Sequence, residues 1–484
     1  MYDAVETDPM QVAQGVRQDL VAYLQPLLLH LDAQVDRRLV GTFVRTIDAI
    51  LCFRNRPHGL LLSELGGYLL TPEHAAAGTK RPCNLLRSPK WSASLSETFL
   101  WTRATTQLEE LEHQGEEAPV LWDESVLEKP ESIANPDLGS VRSSKAHRLT
   151  RIKPGFYHPP TRPIFVPGFQ WIGLLLAGMN GTPSVAAPQW WTTRGERASD
   201  KRTEEAALLQ RCLDAWGTRV CHIFDRGFAG SPWLRLLCSS PVRFVVRWPA
   251  RYKLTDVAGN REPAWQFVRG KRAWEHRLLW DAHHHCHRKT GVLAVPVLYD
   301  GHSLVLIVAR RGAGQTPWYL LTNEPVASTP ELWRIVLRYA RRWQLEMAVN
   351  TVKTHLGVQL LWSSKPLVIE QQVLATLILA QILQALRLEI AGRAGVDPFE
   401  VSLALLIRYL PDFAAQGHDP IAAFLTNARK VGFIRPSTRT INRAPVIDPA
   451  LLVPLPRDLI LVRIPRYANR NGGPKHDRAH PRRN

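Results

Sequence analysis

Tyr339, Arg342, Glu346 and Lys353 stand three, four and seven positions apart along the chain. On a helix turning about 100° per residue they fall within an arc of roughly 60° and share one face. A carboxylate flanked by two cations and a phenol suits a site that holds a metal ion and a phosphate together. Two aspartates add to that chemistry. Asp123 follows the short apolar run 119–122 and Asp225 follows the run 219–224, so each is expected at the end of a buried strand. A carboxylate there points into a cleft. Plainer roles compete: Arg342 and Glu346 as an i,i+4 ion pair on a solvated face, and Asp123 as a turn cap. Taken together, the three carboxylates fit one problem. A phosphodiester repels nucleophiles and has a poor leaving group, and two divalent ions held by carboxylates address both ends of an in-line displacement.

The elements that must position these residues can be read from pattern. The stretch 330–356 predicts one helix, with Thr329 as its cap, Pro330 in the first turn and Gly357 as a left-handed stop. Leu345, Val349, Val352 and Leu356 form an apolar stripe along it. Residues 1–115 read as a helical N-terminal domain, in which Lys80, Arg81, Arg87 and Lys90 give a basic edge suited to DNA. The segment 116–247 alternates apolar runs with the helical pattern 203–216. A β-rich insertion follows over 248–317, with a hairpin signal at Asp300-Gly301. Within it Lys271, Arg272 and Arg277 interleave with Trp274 and Trp280, a pattern that pairs phosphates and stacks an unpaired base. The segment 318–360 returns the chain to the main sheet, 361–460 is a helical C-terminal region, and 461–484 is a basic tail with little to form a core.

Composition sets the class. A chain of 484 residues suggests about three domains. Its net charge of +18 favours a polyanionic partner, nucleic acid before membrane. The six cysteines are scattered without a CxxC pair, which fits a reducing cytoplasm. The first residues are acidic and polar, unlike a signal peptide. The longest apolar run, 373–391, contains Gln381, Gln384, Arg387 and Glu389, so a buried core helix is expected there and no membrane span. His283, His284, His285 and His287 invite a zinc reading. Neighbouring residues on a strand alternate in direction, however, and no second Cys/His pair lies nearby; a solvated cluster on a basic face is the expectation.

These residues resemble those of bacterial insertion-sequence transposases of the DDE class. More narrowly, they resemble the subgroup marked by Tyr-x2-Arg-x3-Glu-x6-Lys, with a β-strand insertion before the glutamate. Tyr339, Arg342, Glu346 and Lys353 match that spacing at every position. Asp123-Glu-Ser-Val resembles the first-aspartate motif and Asp225-Arg-Gly-Phe the second, and the likeness runs from about 60 to 360. Gly227 stands where some relatives carry an acid, and Val349 and Asn350 where many carry an aromatic residue. The resemblance implies an α/β fold with an RNase H-like catalytic core, a mixed sheet flanked by helices. Asp123, Asp225 and Glu346 would be the catalytic metal ligands for two Mg2+ or Mn2+ ions, and Tyr339, Arg342 and Lys353 would contact DNA phosphates. The implied partners are double-stranded DNA, as transposon ends and target, and a second copy of the chain in the active complex. A nuclease of the same fold without strand transfer, and a catalytically silent DNA-binding descendant, are the alternatives.

Overall fold

The computed structural model describes residues 8–53, 60–129, 135–143, 164–179, 182–281, 286–312, 315–358, 365–428 and 430–434. Lys145, Arg148, Arg151, Lys153, His283, His284, His285 and the basic tail 461–484 lie outside the described residues. From the N-terminus come α1 (Pro9–Asp32), α2 (Arg37–Cys52), α3 (Leu62–Leu69), α4 (Ala75–Arg87) and α5 (Ala93–His113). Then follow β1 (Ala118–Glu128), β2 (Gly139–Arg142), β3 (Phe165–Leu176), β4 (Ser184–Trp191), α6 (Lys201–Trp216), β5 (Val220–Phe224), α7 (Ser231–Ser239) and β6 (Arg243–Arg247). The next stretch holds β7 (Lys253–Thr255), β8 (Arg261–Pro263), the single turn α8 (Ala264–Phe267), β9 (Glu275–Asp281), β10 (Cys286–Tyr299), β11 (His302–Arg310) and β12 (Trp318–Thr322). Last are α9 (Thr329–Ala340), α10 (Trp343–Asn350), a π-helical turn (Thr351–His355), α11 (Pro366–Ala394), α12 (Leu403–Ala415) and α13 (Pro420–Thr426). The class is α/β.

The chain divides into two compact units. Among the described residues, the first runs to Ile223, takes in Ser240–Val242 and resumes at Arg341; the second comprises Phe224–Ser239 and Arg243–Ala340.

In the first unit the strand order is β2-β3-β1-β5, with β4 on the other side of β3. β1 and β3 are antiparallel, and Asp123 lies opposite Gly173. The N-terminal and C-terminal helices share one apolar core with this sheet, built from residues such as Phe43, Phe99, Ile378, Leu383 and Phe424. α11 is the one helix among the described residues long and apolar enough to cross a membrane by length and composition, and 72% of its most apolar window is buried inside the protein. Its polar residues explain themselves by partners. Gln371 donates to Trp91 O, Gln372 to Leu60 O, and Gln381 accepts from Val185 N while donating to Ser184 Oγ. These bonds tie the helix to its neighbours, although Gln371 Oε1 and Gln372 Oε1 stay buried without a hydrogen-bond partner. α3 and α4 approach so closely that a Cβ on Gly66 or Gly78 would overlap the facing backbone. Lys80, Arg81, Arg87 and Lys90 are all exposed on and just beyond α4.

The second unit orders its strands β6-β12-β11-β10-β7-β8, with β9 also on β10. The turn from β10 to β11 is the Asp300-Gly301 pair read from the sequence, with φ of 45° and 83°. That left-handed pair matches the twist of its strands. α9 packs on β10 and β11, and its Trp333, Ile335, Val336 and Leu337 are buried.

Three local expectations are corrected. The helix expected over 330–356 is interrupted at Arg341 and Arg342 and ends in a π-turn. Its cap is Ser328 rather than Thr329: the Glu331 carboxylate accepts from Ala327 N and Ser328 N, and Ser328 Oγ accepts from Glu331 N. That is a capping box. Asp123 is not at a strand end, because β1 continues to Glu128.

Candidate active site

β1 changes character at Asp123. Residues Ala118 to Trp122 are buried, and Asp123 to Val126 are only partly so. The apolar half is locked by Trp122, whose indole donates to His222 Nδ1 of β5 at 3.0 Å. Full burial holds the His222 imidazole neutral, with its pKa pushed down to about 3. Since Nδ1 accepts, its proton is on Nε2. Opposite Asp123 stands Gly173, which has no side chain to cover the strand, and Leu345 of α10 is the nearest side chain over it.

α10 and the π-turn bring three more of the singled-out residues to β1. Arg342 occupies the cap position of α10 and Glu346 its first turn, where a carboxylate is favoured by the helix dipole. The Arg342 guanidinium pairs through Nη2 with Glu346 and stands with Nη1 3.9 Å from Asp123 Oδ2. Lys353 Nζ donates to Val126 O at 2.8 Å, three residues along the same strand. Beneath them Leu345, Val352 and Leu356 of the predicted stripe are buried, and Val349, its fourth member, is only partly so. Arg341, at the interruption, turns fully into the core. Burial pushes its guanidinium down to about 9, against the pull of the Glu116 carboxylate.

The other face of β1 is pinned separately. Lys201 of α6 pairs with Glu124 and lies 3.7 Å from Glu205. Glu205 also accepts from Arg202 at 2.5 Å. Burial drives the Glu205 carboxyl up to about 7 although both cations oppose it. Sequence inspection passed over Glu205, whose only mark is its place on the helix starting at the Asp200 cap.

Asp225 and Tyr339 belong to the second unit. Asp225 follows β5 and accepts from Gly227 N at 2.6 Å, capping the turn Arg226–Phe228. A Cβ at 227 would fall 2.9 Å from Asp225 Oδ1, so glycine there keeps the carboxylate in place. Tyr339 is buried and meets Trp318 edge to face, ring centroids 5.1 Å apart. In the insertion Lys271, Arg272 and Trp274 are exposed, whereas Arg277 is buried, paired with Glu275 and laid over Trp333. The same unit holds a buried pair that sequence reading missed: Arg338 Nη1 meets Glu324 Oε2 at 2.6 Å, and Arg243 Nη2 meets Glu324 Oε1 at 2.6 Å.

Asp123 and Glu346 therefore share one cation, the Arg342 guanidinium. A guanidinium is the positive group held there, and an oxygen-only carboxylate pair suits a hard divalent ion equally. Among the described residues, no group of three or more His, Cys, Asp and Glu is gathered closely enough to hold a metal ion.

No protein-family model matches the chain, and no curated protein matches it. Among solved structures, a piggyBac transposase synaptic complex with hairpin DNA aligns with a TM-score of 0.38 at 10% sequence identity, covering 92% of this chain and 85% of that chain. At that score the likeness carries no inference about fold or chemistry.

Proposed function

We propose that the chain is a metal-dependent DNA-processing enzyme, a DDE-type transposase with an RNase H-like core that cleaves DNA ends and joins them to a target. The observation that carries the reading is the pairing of Asp123 and Glu346 about the Arg342 guanidinium on the half-open stretch of β1. Asp123 and Glu346 would hold Mg2+ or Mn2+, with Asp225 as the third ligand assigned from its sequence motif. Ions held there would supply activation of a water or 3′-hydroxyl and stabilisation of the departing oxygen. The protein's own contribution is to position. Arg342 balances the carboxylates and offers a planar fork to a DNA phosphate. Lys353 fixes the end of the helix on β1 through Val126 O. The exposed cations of α4 and the net charge of +18 supply affinity for the DNA backbone. Tyr339, as a buried residue, acts on the packing beside Trp318 rather than on a phosphate. A homodimer is proposed for the complex that joins two ends.

The test pairs binding with chemistry. Glu346→Gln keeps shape and removes charge, so Mn2+ titration by electron paramagnetic resonance should show lost high-affinity binding. Cleavage of DNA flanking the gene should disappear while gel-shift affinity stays near wild type. Cutting by Glu346→Gln at the wild-type rate would falsify the assignment.

A further inference from the structure

Outside the carboxylate site, the second unit contains a cavity of about 660 Å³ between the start of α7, the β7–β8 hairpin and the Asp300-Gly301 turn. We infer that it is a binding site for single-stranded nucleic acid, with Arg251, Lys253 and Arg261 on the phosphates and Tyr252 against a base. The site does not use the carboxylates and goes beyond the proposed cleavage chemistry.

Charge balance within the cavity points to an anion. Two acids lie close by, and both are already engaged. Asp300 takes Arg235 at 2.5 Å. Asp256 caps its own turn, accepting from Asn260 Nδ2, Asn260 N and Ala258 N at 2.8–2.9 Å. Glu262 lies on β8 next to Arg261, but it does not line the cavity. Among the described residues, no carboxylate pairs with Arg251, Lys253 or Arg261, and all three are exposed.

The walls add a stacking surface. Trp248 is buried and anchors the floor, with Tyr252 and Tyr299 edge-on to it at 5.6 and 6.2 Å. Tyr299 is fixed by its hydroxyl, which donates to Ser231 Oγ at 2.7 Å. Tyr252 remains 47% exposed, and the backbone around it is held by Ala264 N donating to Tyr252 O and Trp265 N to Ala250 O. A held aromatic ring beside unpaired cations suits a strand whose bases are free, because a duplex hides its base faces. The cavity is open to solvent and, at about 660 Å³, lies within the volume range of ligand pockets.

The experiment uses the full chain and fluorescein-labelled oligothymidylate in EDTA, so that loss of the metal chemistry cannot alter the result. Replacing Arg251, Lys253 and Arg261 by Ala together should weaken binding at least about ten-fold and flatten the salt slope by about 2. Tyr252→Ala changes no charge, and should weaken single-strand binding about ten-fold while leaving a matched duplex unaffected. In the wild-type protein, photo-crosslinking with 5-iododeoxyuridine should map to residues 248–261, a readout that needs no variant. Unchanged binding by the triple variant, equal losses on single strand and duplex for Tyr252→Ala, or crosslinks confined elsewhere would each overturn the assignment.

Discussion

Replacing Glu324 by Ala removes a partner carboxylate from a guanidinium that solvent does not reach. Arg338 is fully buried, and its Nη1 lies 2.6 Å from Glu324 Oε2. Burial alone would raise the Glu324 carboxyl, but the Arg338 and Arg243 guanidiniums outweigh it and hold it below the usual range. Breaking a buried pair from one side costs about 3–5 kcal/mol, because the remaining charge keeps its desolvation penalty. Arg243 is 36% exposed, so its share is screened and worth at most about 1 kcal/mol. Urea unfolding followed by tryptophan fluorescence should place Glu324→Ala about 3–5 kcal/mol below wild type, and Arg243→Ala within about 1. Adding Arg338→Met to Glu324→Ala should recover part of the loss, since the buried charge goes with it. The pH dependence has a fixed sign. A depressed carboxyl contributes stability above its unfolded pKa and loses it as pH falls, so the gap between wild type and variant should close below about pH 4. A Glu324→Ala loss no larger than that of Arg243→Ala would refute the argument.

Three other outcomes are expected. Gly227→Ala should abolish metal-dependent cleavage while leaving the melting temperature within a few degrees, because the new Cβ displaces only the Asp225 carboxylate. Arg342→Ala should weaken DNA binding and reduce the salt slope by about one contact in gel-shift titrations, with residual cleavage at high enzyme concentration. Glu205→Gln concerns stability. The folded state holds the Glu205 proton up to about pH 7, so wild-type stability falls as pH rises from the ordinary carboxylate range through 7. The melting temperature of the variant relative to wild type should therefore rise between pH 5 and pH 8, and a flat difference would count against the shift.

What could be read from the sequence was what local chemistry decides. Asp300-Gly301 announced its hairpin because few residue pairs accept two left-handed φ values. Gly357, at φ 79°, ended its helix for the same reason. Of the four-residue stripe, Leu345, Val352 and Leu356 are buried as their spacing suggests, while Val349 is only partly so. Distant partners decided the rest. Nothing in Tyr-Ala-Arg-Arg-Trp signals an interruption, because no proline or glycine stands there; Arg341 turns inward to a core assembled from segments far along the chain. The extent of β1 past Asp123 depends on β3, which supplies partners as far as Gly168 opposite Glu128. Arg277 looked like its neighbours Lys271 and Arg272, yet Glu275 and Trp333 take it out of solvent. At the candidate site, the residue types and the Arg342–Glu346 pairing were legible, while the approach of Asp123 to the same guanidinium was not.

The π-turn after α10 sets a tolerance on chain length. A turn of this kind accommodates one residue more than a regular helix would. That surplus shifts the angular phase of everything after it, so Val352 and Leu356 can stay in the apolar layer while Lys353 reaches Val126 O. Deleting one residue from Thr351–His355 would leave a smoother helix and a shorter one, in which the cation and the two apolar anchors compete for a single rotation. Length here is therefore constrained by phase more than by residue identity: conservative substitutions in the turn should be tolerated where a single-residue deletion is not.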